Sequence, residues 1–143
     1  MRPFVYFARF EPIAEHLIVV RFPDVPEAAT VGDSPTDAHT RGEAALTFAL
    51  LTYVARGLPI PRPNTRGGGN LVAIAVEPTV AAKIAAIEAF RESGMSKLEF
   101  ARAIGKHKDE ARRILDPRHP TKLSTLAAAL RVLGKQLVIA VDP

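Results

Sequence analysis

Residues 97–115, KLEFARAIGKHKDEARRIL, carry the most informative pattern of this sequence. Ala101 stands four positions before Gly105, and a small residue at that position lets two helices approach closely. Gly105 itself accepts the positive φ of a tight turn at little cost. A capping box at Ser96 begins the first helix, and the Asp-Pro pair at 116–117 ends the second. The pattern therefore predicts two short helices joined by a tight turn, with the second helix held out at a fixed angle.

A helix presented in this way can enter the major groove of DNA. Arginine and lysine can then reach guanine or phosphate, and aspartate can accept a hydrogen bond from cytosine. We expect the DNA-contacting residues to be Lys106, His107, Lys108, Asp109, Arg112 and Arg113. The alternative is a plain helical hairpin whose arginines are only solvated.

The charge distribution favours an anionic partner for this half of the chain. The whole sequence has a formal net charge of +4. Residues 1–70 are neutral overall, whereas residues 71–143 hold twelve Lys or Arg against eight Asp or Glu. All six lysines lie in the second half, the first of them at Lys83. Nucleic acid is the commonest partner of such a segment, although a solvated helical face can be equally basic.

Helical patterns flank the central pair of helices, and a strand pattern closes the chain. The helices of this part are predicted at about 79–93, 96–104, 108–115 and 124–133. The terminal segment QLVIAV at 136–141 has strand character but no sheet to join within this half, and a strand edge needs a partner. We expect two chains to pair these strands, with Leu137, Val138, Ile139 and Val141 forming the dimer contact. The homodimer would place two recognition helices on successive half-sites of a palindromic operator. Further pairing into tetramers is left open.

The first half of the chain is predicted to begin with strands. FVYFARF at 4–10 and HLIVVRF at 16–22 are rich in aromatic and β-branched residues and flank a polar connection at 11–15. They predict a hairpin. A short third strand at 28–31 is expected before the chain turns at 32–33.

A helical pattern follows the strands. Ser34 is a good N-cap, which predicts a long helix over Pro35–Arg56. The segment PIPRPNTRGGGN at 59–70 predicts a long loop, and LVAIAV at 71–76 predicts a fourth strand. The predicted fold class is therefore α+β, with a βββαβ domain at 1–77 and a four-helix domain at 78–143.

Composition excludes several classes of protein. A chain of 143 residues suits one ordinary domain or two small ones, and the absence of Cys excludes disulfides and thiolate metal sites. The longest mainly apolar run, 44–55, is too short to cross a bilayer, and the N-terminus does not resemble a signal peptide. We expect a cytoplasmic protein with no cofactor, no metal and no membrane partner.

Several motifs resemble those of the HicB family of antitoxins. The run LDPRHPTKLSTLAAALRVL at 115–133, followed by GKQLVIAV, is similar to the family's C-terminal module, which has an XRE-like helix-turn-helix. RFPDVP at 21–26, TVGDSPTDA at 30–38 and GLPIPRP at 57–63 are similar to its N-terminal domain, which resembles a degraded ribonuclease H fold. The resemblance covers nearly the whole chain.

The resemblance implies two binding partners. It implies that the N-terminal domain blocks a small basic HicA-type toxin, an mRNA-cleaving ribonuclease, and that the C-terminal domain represses the operon by binding promoter DNA. By position in the motif, Arg118 and His119 would add contacts to the DNA backbone. Toxin binding is expected to change how the antitoxins are arranged on DNA.

The long predicted helix is apolar on more than one side. Phe48 and Leu51 fall on a different face from Ala38, Ala45 and Ala49, so one sheet cannot cover them all. The second surface could be buried by the toxin, by an oligomer partner or by the long loop. We therefore name Phe48 and Leu51 as a candidate toxin-binding or oligomer surface.

A ribonuclease H likeness raises the question of catalysis. Two-metal nucleases need several converging carboxylates, but the segments 4–10 and 71–76 contain none. Asp24, Asp33 and Asp37 lie in turn or helix-start contexts, which capping explains. We expect no catalytic residues. The competing hypothesis is a one-component transcriptional regulator whose N-terminal domain senses a small ligand.

Overall fold

A four-stranded antiparallel sheet and five α-helices make up the chain, of which a computed structural model describes residues 1–143. The residues separate into two units, Met1–Pro78 and Thr79–Pro143. The first unit contains β1 (Val5–Ala14), β2 (Leu17–Arg21), β3 (Thr30–Gly32), α1 (Pro35–Ala55) and β4 (Leu71–Ala75). The second contains α2 (Pro78–Ser93, which begins at the last residue of the first unit), α3 (Lys97–Ile104), α4 (Lys108–Ile114) and α5 (Leu123–Val132).

The strands of the first unit lie in the order β3-β2-β1-β4, and each neighbouring pair is antiparallel. Alternate residues point to the two faces of a strand, so Tyr6 and Ala8 are buried while Arg9 is exposed. Val20 of β2 and Ile74 of β4 are buried with them. The predicted order of three strands, a helix and a fourth strand is the observed one.

The hairpin differs from the prediction in its extent. Residues 11–15 were expected to connect the first two strands, but β1 continues to Ala14 and pairs Glu11 with Val19 and Pro12 with Ile18. The register shifts between Pro12 and Ala14, which is where a strand can accommodate proline. His16, with φ of 59°, makes the tight turn.

The third strand begins two residues later and ends one residue later than predicted. A short 3-10 helix occupies Pro26–Ala28, and the strand follows at Thr30–Gly32. Gly32 therefore belongs to the sheet, where it pairs with Ile18. The shift has a local cause, because proline at the start of 26–28 favours a helical turn and cannot donate to a ladder.

Helix α1 begins as predicted and covers one face of the sheet. The Ser34 hydroxyl accepts a hydrogen bond from the Asp37 backbone N–H at 3.1 Å. Its buried face consists of Ala38, Gly42, Leu46, Ala49, Leu50 and Val54. The helix ends at Ala55, one residue before the predicted end.

The predicted loop at 59–70 contains no helix or strand, yet side chains fix it to the sheet unit. The Tyr6 hydroxyl donates to the Pro61 carbonyl oxygen at 2.5 Å. The backbone N–H and the hydroxyl of Thr65 donate to the two oxygens of Asp24 at 2.7 and 2.9 Å. Ile60 is buried. The loop is therefore a fixed part of the unit.

The second unit is a four-helix arrangement whose core draws on all four helices. Ala86, Phe100, Ala111 and Leu126 are buried together, one from each helix. The Phe100 ring meets Phe90 edge-on, with centroids 5.4 Å apart. The four predicted helices agree with the observed ones to within one residue at each end.

The predicted terminal strand at 136–141 is not formed in the single chain, where residues 135–143 contain no regular element. A strand is defined by pairing with a neighbour, and the second unit contains no other strand. Leu137 packs against the helical core, whereas Val138, Ile139 and Val141 are 53%, 66% and 91% exposed. The apolar segment is present, but it has no partner.

Candidate functional site

The turn between α3 and α4 has the geometry that its sequence predicts. Ser96 and Glu99 form a complete capping box at the start of α3. Gly105 adopts φ 68° and ψ 34°, and its N–H bonds to the carbonyl oxygens of Ala101 and Arg102. Ala101 and Ala111 are both buried, so the small side chains lie inside the helix pair.

His107 caps the start of α4. Its Nδ1 accepts a hydrogen bond from the Asp109 backbone N–H at 3.2 Å, in the role that Ser or Thr usually fills. Accepting this bond requires an unprotonated Nδ1. The proton of a neutral His107 therefore lies on Nε2.

All of the residues predicted to contact DNA from this region are exposed. Lys106 pairs with Glu110 at 3.6 Å, and Arg112 approaches Asp109 at 4.0 Å. Such surface ion pairs contribute little to stability. Another anion can therefore take the place of the Glu110 or Asp109 carboxylate beside the cationic side chain. The side chains of Lys108 and Arg113 make no ion pair. The exposed set comprises Lys106, His107, Lys108, Asp109, Arg112 and Arg113.

Arg118 and His119 lie in the turn that follows α4. The Asp116 side chain accepts from the Arg118 N–H at 3.0 Å, and its carbonyl oxygen accepts from the His119 N–H at 3.1 Å. Both side chains are exposed. The turn after α4 therefore presents an arginine and a histidine to solvent, in addition to the exposed residues of α4.

Lys83 was counted among the cationic residues of the second half, but it does not face solvent. It is 4% exposed, and its Nζ donates to the carbonyl oxygens of Arg113 and Ile114 and to the Thr121 hydroxyl, at 3.0, 2.9 and 2.6 Å. Burial lowers the pKa of Lys83 to about 8, partly offset by the Asp116 carboxylate. Its place in the apolar run VAAKIAAI is the sequence signal that could have identified it.

On the first unit, Phe48 of α1 is 74% exposed, and Leu51 beside it is half-buried. The fixed loop therefore does not cover Phe48. Shallow concavities lie on both sides of this ring. One is lined by Thr40, Glu43, Ala44, Thr47 and Leu51, and the other by Glu27, Ala49, Thr52, Tyr53, Arg56 and Leu58. We call Phe48, Leu51 and these two linings the α1 surface.

Each concavity of the α1 surface contains one carboxylate. Glu43 is half-exposed in the first. In the second, the Tyr53 hydroxyl donates to Glu27 at 2.7 Å and lowers the pKa of that carboxyl, while the same bond raises the pKa of Tyr53. The surface is thus apolar at its centre, with Glu43 at one edge and both Glu27 and the cationic Arg56 at the other.

The aspartates considered for catalysis make contacts within the fold. Asp24 accepts both hydrogen bonds from Thr65. Asp37 accepts from the Asp33 backbone N–H at 2.9 Å and from the Arg41 side chain, and these contacts lower its pKa. No group of three or more His, Asp or Glu side chains is placed to hold a metal ion. None of the helices combines the length and the apolar character needed to span a membrane.

Sequence comparison relates both units to proteins of one kind. No protein-family model matches the chain. It is 34% identical over 137 residues to Antitoxin HicB 1 of Photorhabdus laumondii, covering 96% of this chain and 86% of that protein. It is 36% identical to Antitoxin HicB 2 of the same organism, over 82% and 83% of the two chains. Antitoxin HicB of Escherichia coli K12 is 33% identical over 92% and 95%. The chain therefore belongs to the HicB antitoxin family.

Proposed function

We propose that this protein is an antitoxin that neutralises a small HicA-type, mRNA-cleaving toxin and represses its own operon. The observation that carries the proposal is the similarity to Antitoxin HicB 1, which extends over 96% of the chain and so spans both units. Two separate exposed surfaces are consistent with two partners. The α1 surface is apolar at its centre and carries Glu43, Glu27 and Arg56 around it, and the α3–α4 region is basic.

The first unit is the proposed toxin-binding domain. An exposed aromatic ring between two concavities is typical of an anchor that becomes buried in a protein interface. The carboxylates of Glu27 and Glu43 suit the basic toxin that the family resemblance implies. Neutralisation on this account is non-catalytic, because the antitoxin covers the toxin's active surface or keeps RNA away from it. The proposed likeness to a ribonuclease H fold concerns shape alone.

The second unit is the proposed DNA-binding domain, with α3 and α4 as an XRE-like helix-turn-helix. Helix α4 would enter the major groove, where Arg112 and Arg113 read bases or contact phosphates. Arg118 and His119 would contact the backbone. Pairing of residues 136–141 from two chains would set the spacing of the two recognition helices. Toxin binding would then alter repression by rearranging the antitoxins on DNA.

The proposed toxin binding is tested by purifying the tagged protein from its native operon and by replacing Phe48 with Asp. The wild type is expected to copurify with a small basic protein in stoichiometric amount. That protein should cleave RNA once it is separated from the antitoxin, and adding the antitoxin back should stop the cleavage. Phe48→Asp should weaken the complex at least about tenfold, because it would bury an unpaired charge at the centre of the interface. Calorimetric titration of the two purified proteins measures this.

Val31→Asp is the matched control, because Val31 is also an exposed apolar residue of the first unit, at 48% exposure. It should leave toxin affinity and inhibition unchanged. Equal assembly and equal inhibition by the Phe48→Asp protein would remove the α1 surface from the interface. Absence of any copurifying toxin, together with intact promoter binding, would favour the ligand-sensing regulator instead.

A further inference from the structure

Lys83 is a charged residue buried in the middle of α2, and all of its donors are used. An ammonium group has three N–H donors and no acceptor. The structure supplies three oxygens for them, on Arg113, Ile114 and Thr121, at distances between 2.6 and 3.0 Å. Removing this buried charge would take one hydrogen bond from each oxygen, and the Ile114 carbonyl would keep no other, because the Arg113 carbonyl also accepts from the Asp116 N–H and Thr121 also donates to His119.

The three acceptors belong to two different segments near the proposed DNA surface. The carbonyl oxygens of Arg113 and Ile114 lie in the last turn of α4, where the helix dipole is negative, and the Arg113 oxygen also accepts from the Asp116 N–H at 3.2 Å. The Thr121 hydroxyl also bonds to the His119 carbonyl oxygen at 3.4 Å. Lys83 therefore joins the end of α4 to the turn that carries Arg118 and His119.

We propose that Lys83 is a positioning residue for DNA recognition, whose ammonium group holds the end of α4 and the 116–121 turn in one fixed relation. The inference rests on the proposed DNA-binding function and adds a residue that never touches DNA. Arg112 and Arg113 lie on α4, and Arg118 and His119 lie on the turn. Fixing the two segments together lets one duplex meet both sets of side chains at once.

The nearest charges are consistent with this role. Asp116, at the start of the turn, is the opposite charge that favours the ammonium form. Other residues packed around α2 in this core are apolar, including Phe100, Ala111 and Leu126. An uncharged side chain of similar length would fit the volume but would supply none of the three hydrogen bonds.

The test compares full-length wild-type protein with Lys83→Met, Thr121→Val and Lys135→Met. Lys135→Met is the control for loss of one positive charge, because Lys135 is exposed and its only ion pair is a 3.8 Å contact to Glu92. Binding is measured by fluorescence anisotropy on a duplex from the protein's own promoter and on a scrambled duplex of equal length, at several salt concentrations.

We expect Lys83→Met to weaken promoter binding about tenfold or more, as loss of a buried hydrogen-bonded charge would. Binding to the scrambled duplex and its salt dependence should match those of Lys135→Met, because Lys83 contacts no phosphate. A residue needed only for stability would instead lower both affinities together, in proportion to the unfolded fraction. Thr121→Val, which removes one of the three bonds, should show a smaller loss of the same kind.

Amide hydrogen exchange provides a second measurement. In Lys83→Met the backbone N–H groups of Leu115, Asp116 and His119 should exchange faster, while that of Phe100 in α3 should not. If Lys83→Met does not fold, Thr121→Val alone decides the matter. Unchanged discrimination between the two duplexes in a folded variant overturns the proposal. Equal wild-type binding to both duplexes would instead contradict the proposed DNA-binding function itself, and the positioning role with it.

Discussion

Lys83 stands in the sequence VAAKIAAI, with apolar residues on both sides. A count of charges along the chain treats it like the other five lysines, and that count favoured an anionic partner for the second half of the chain. The fold separates it from them, because Lys83 is buried and its ammonium group bonds to the end of α4 and to Thr121. Apolar neighbours on both sides of a lone charge are therefore a better guide to its burial than the net charge of a whole segment.

The burial of Lys83 predicts a pH dependence of stability. Its pKa falls from 10.5 to about 8 in the folded protein. Between these values the unfolded chain binds more protons than the folded one, so the free energy of unfolding should rise with pH through this window. The contribution is absent below pH 8, where both states are protonated, and it should reach about 1–2 kcal/mol by about pH 9.5.

Urea unfolding of wild type and Lys83→Met at about pH 7.5 and 9.5 measures this effect. The wild type should gain stability relative to Lys83→Met at the higher pH. Lys135→Met should follow the wild type at both values. A difference that stays constant or shrinks as pH rises would show that the lysine is not charged and buried as described.

Among the elements, helices were predicted more accurately than strands. The starts of α1 and α3 depend on Ser34 and Ser96, and Gly105 ends α3, so these signals are local and readable. The extent of β1 depends on what pairs with it, and the ladder past Pro12 exists because β2 lies alongside. The terminal segment 136–141 was predicted to pair with a second chain, and it is not a strand in the single chain.

The packing of β3 against α1 depends on Gly32. A Cβ atom at this position would lie 2.5 Å from the backbone N and Cα of Ala38 in the first turn of α1. Neither backbone atom can move without displacing the helix. Gly32→Ala should therefore destabilise the protein by about 2 kcal/mol or more, measured by urea unfolding.

Val31→Ala is the neighbouring control for Gly32→Ala. Val31 lies in the same edge strand with its side chain exposed, so its truncation should cost about 0.5 kcal/mol or less. If both substitutions have equally small effects, β3 and α1 are not in close contact in solution.

At the scale of the whole molecule, the candidate sites could be predicted only in part. The cationic residues around α4 were predicted from one motif and are all exposed. Phe48 could be named from its position on α1, but the second concavity beside it also depends on Glu27 and Leu58, which lie outside the helix. Lys83 was missed because its acceptors come from segments about 30 to 38 residues away.

Deleting residues 136–143 should convert the protein to a monomer and abolish specific promoter binding. The deleted segment supplies the exposed apolar residues Val138, Ile139 and Val141. The helical core keeps all of its buried residues and loses only the partial packing of Leu137, so the truncated chain should still fold. Light scattering during gel filtration reports the assembly state, and circular dichroism reports the fold.

Deleting only residues 142–143 is the control, because it leaves the whole predicted strand in place. That shorter deletion should behave like the full-length protein. A chain lacking 136–143 that elutes as the full-length oligomer would show that the dimer forms elsewhere.

Pairing through the C-terminal segment would make promoter occupancy depend on the amount of protein in the cell. If two chains must dimerise before they can bind a palindromic site, the occupancy of that site at low protein concentration varies with the square of the monomer concentration. A halving of supply then removes about three-quarters of the bound complexes, by mass action. Repression would therefore fall steeply when synthesis of the protein slows. No separate sensor is needed, because the response comes from the pairing of two C-terminal segments.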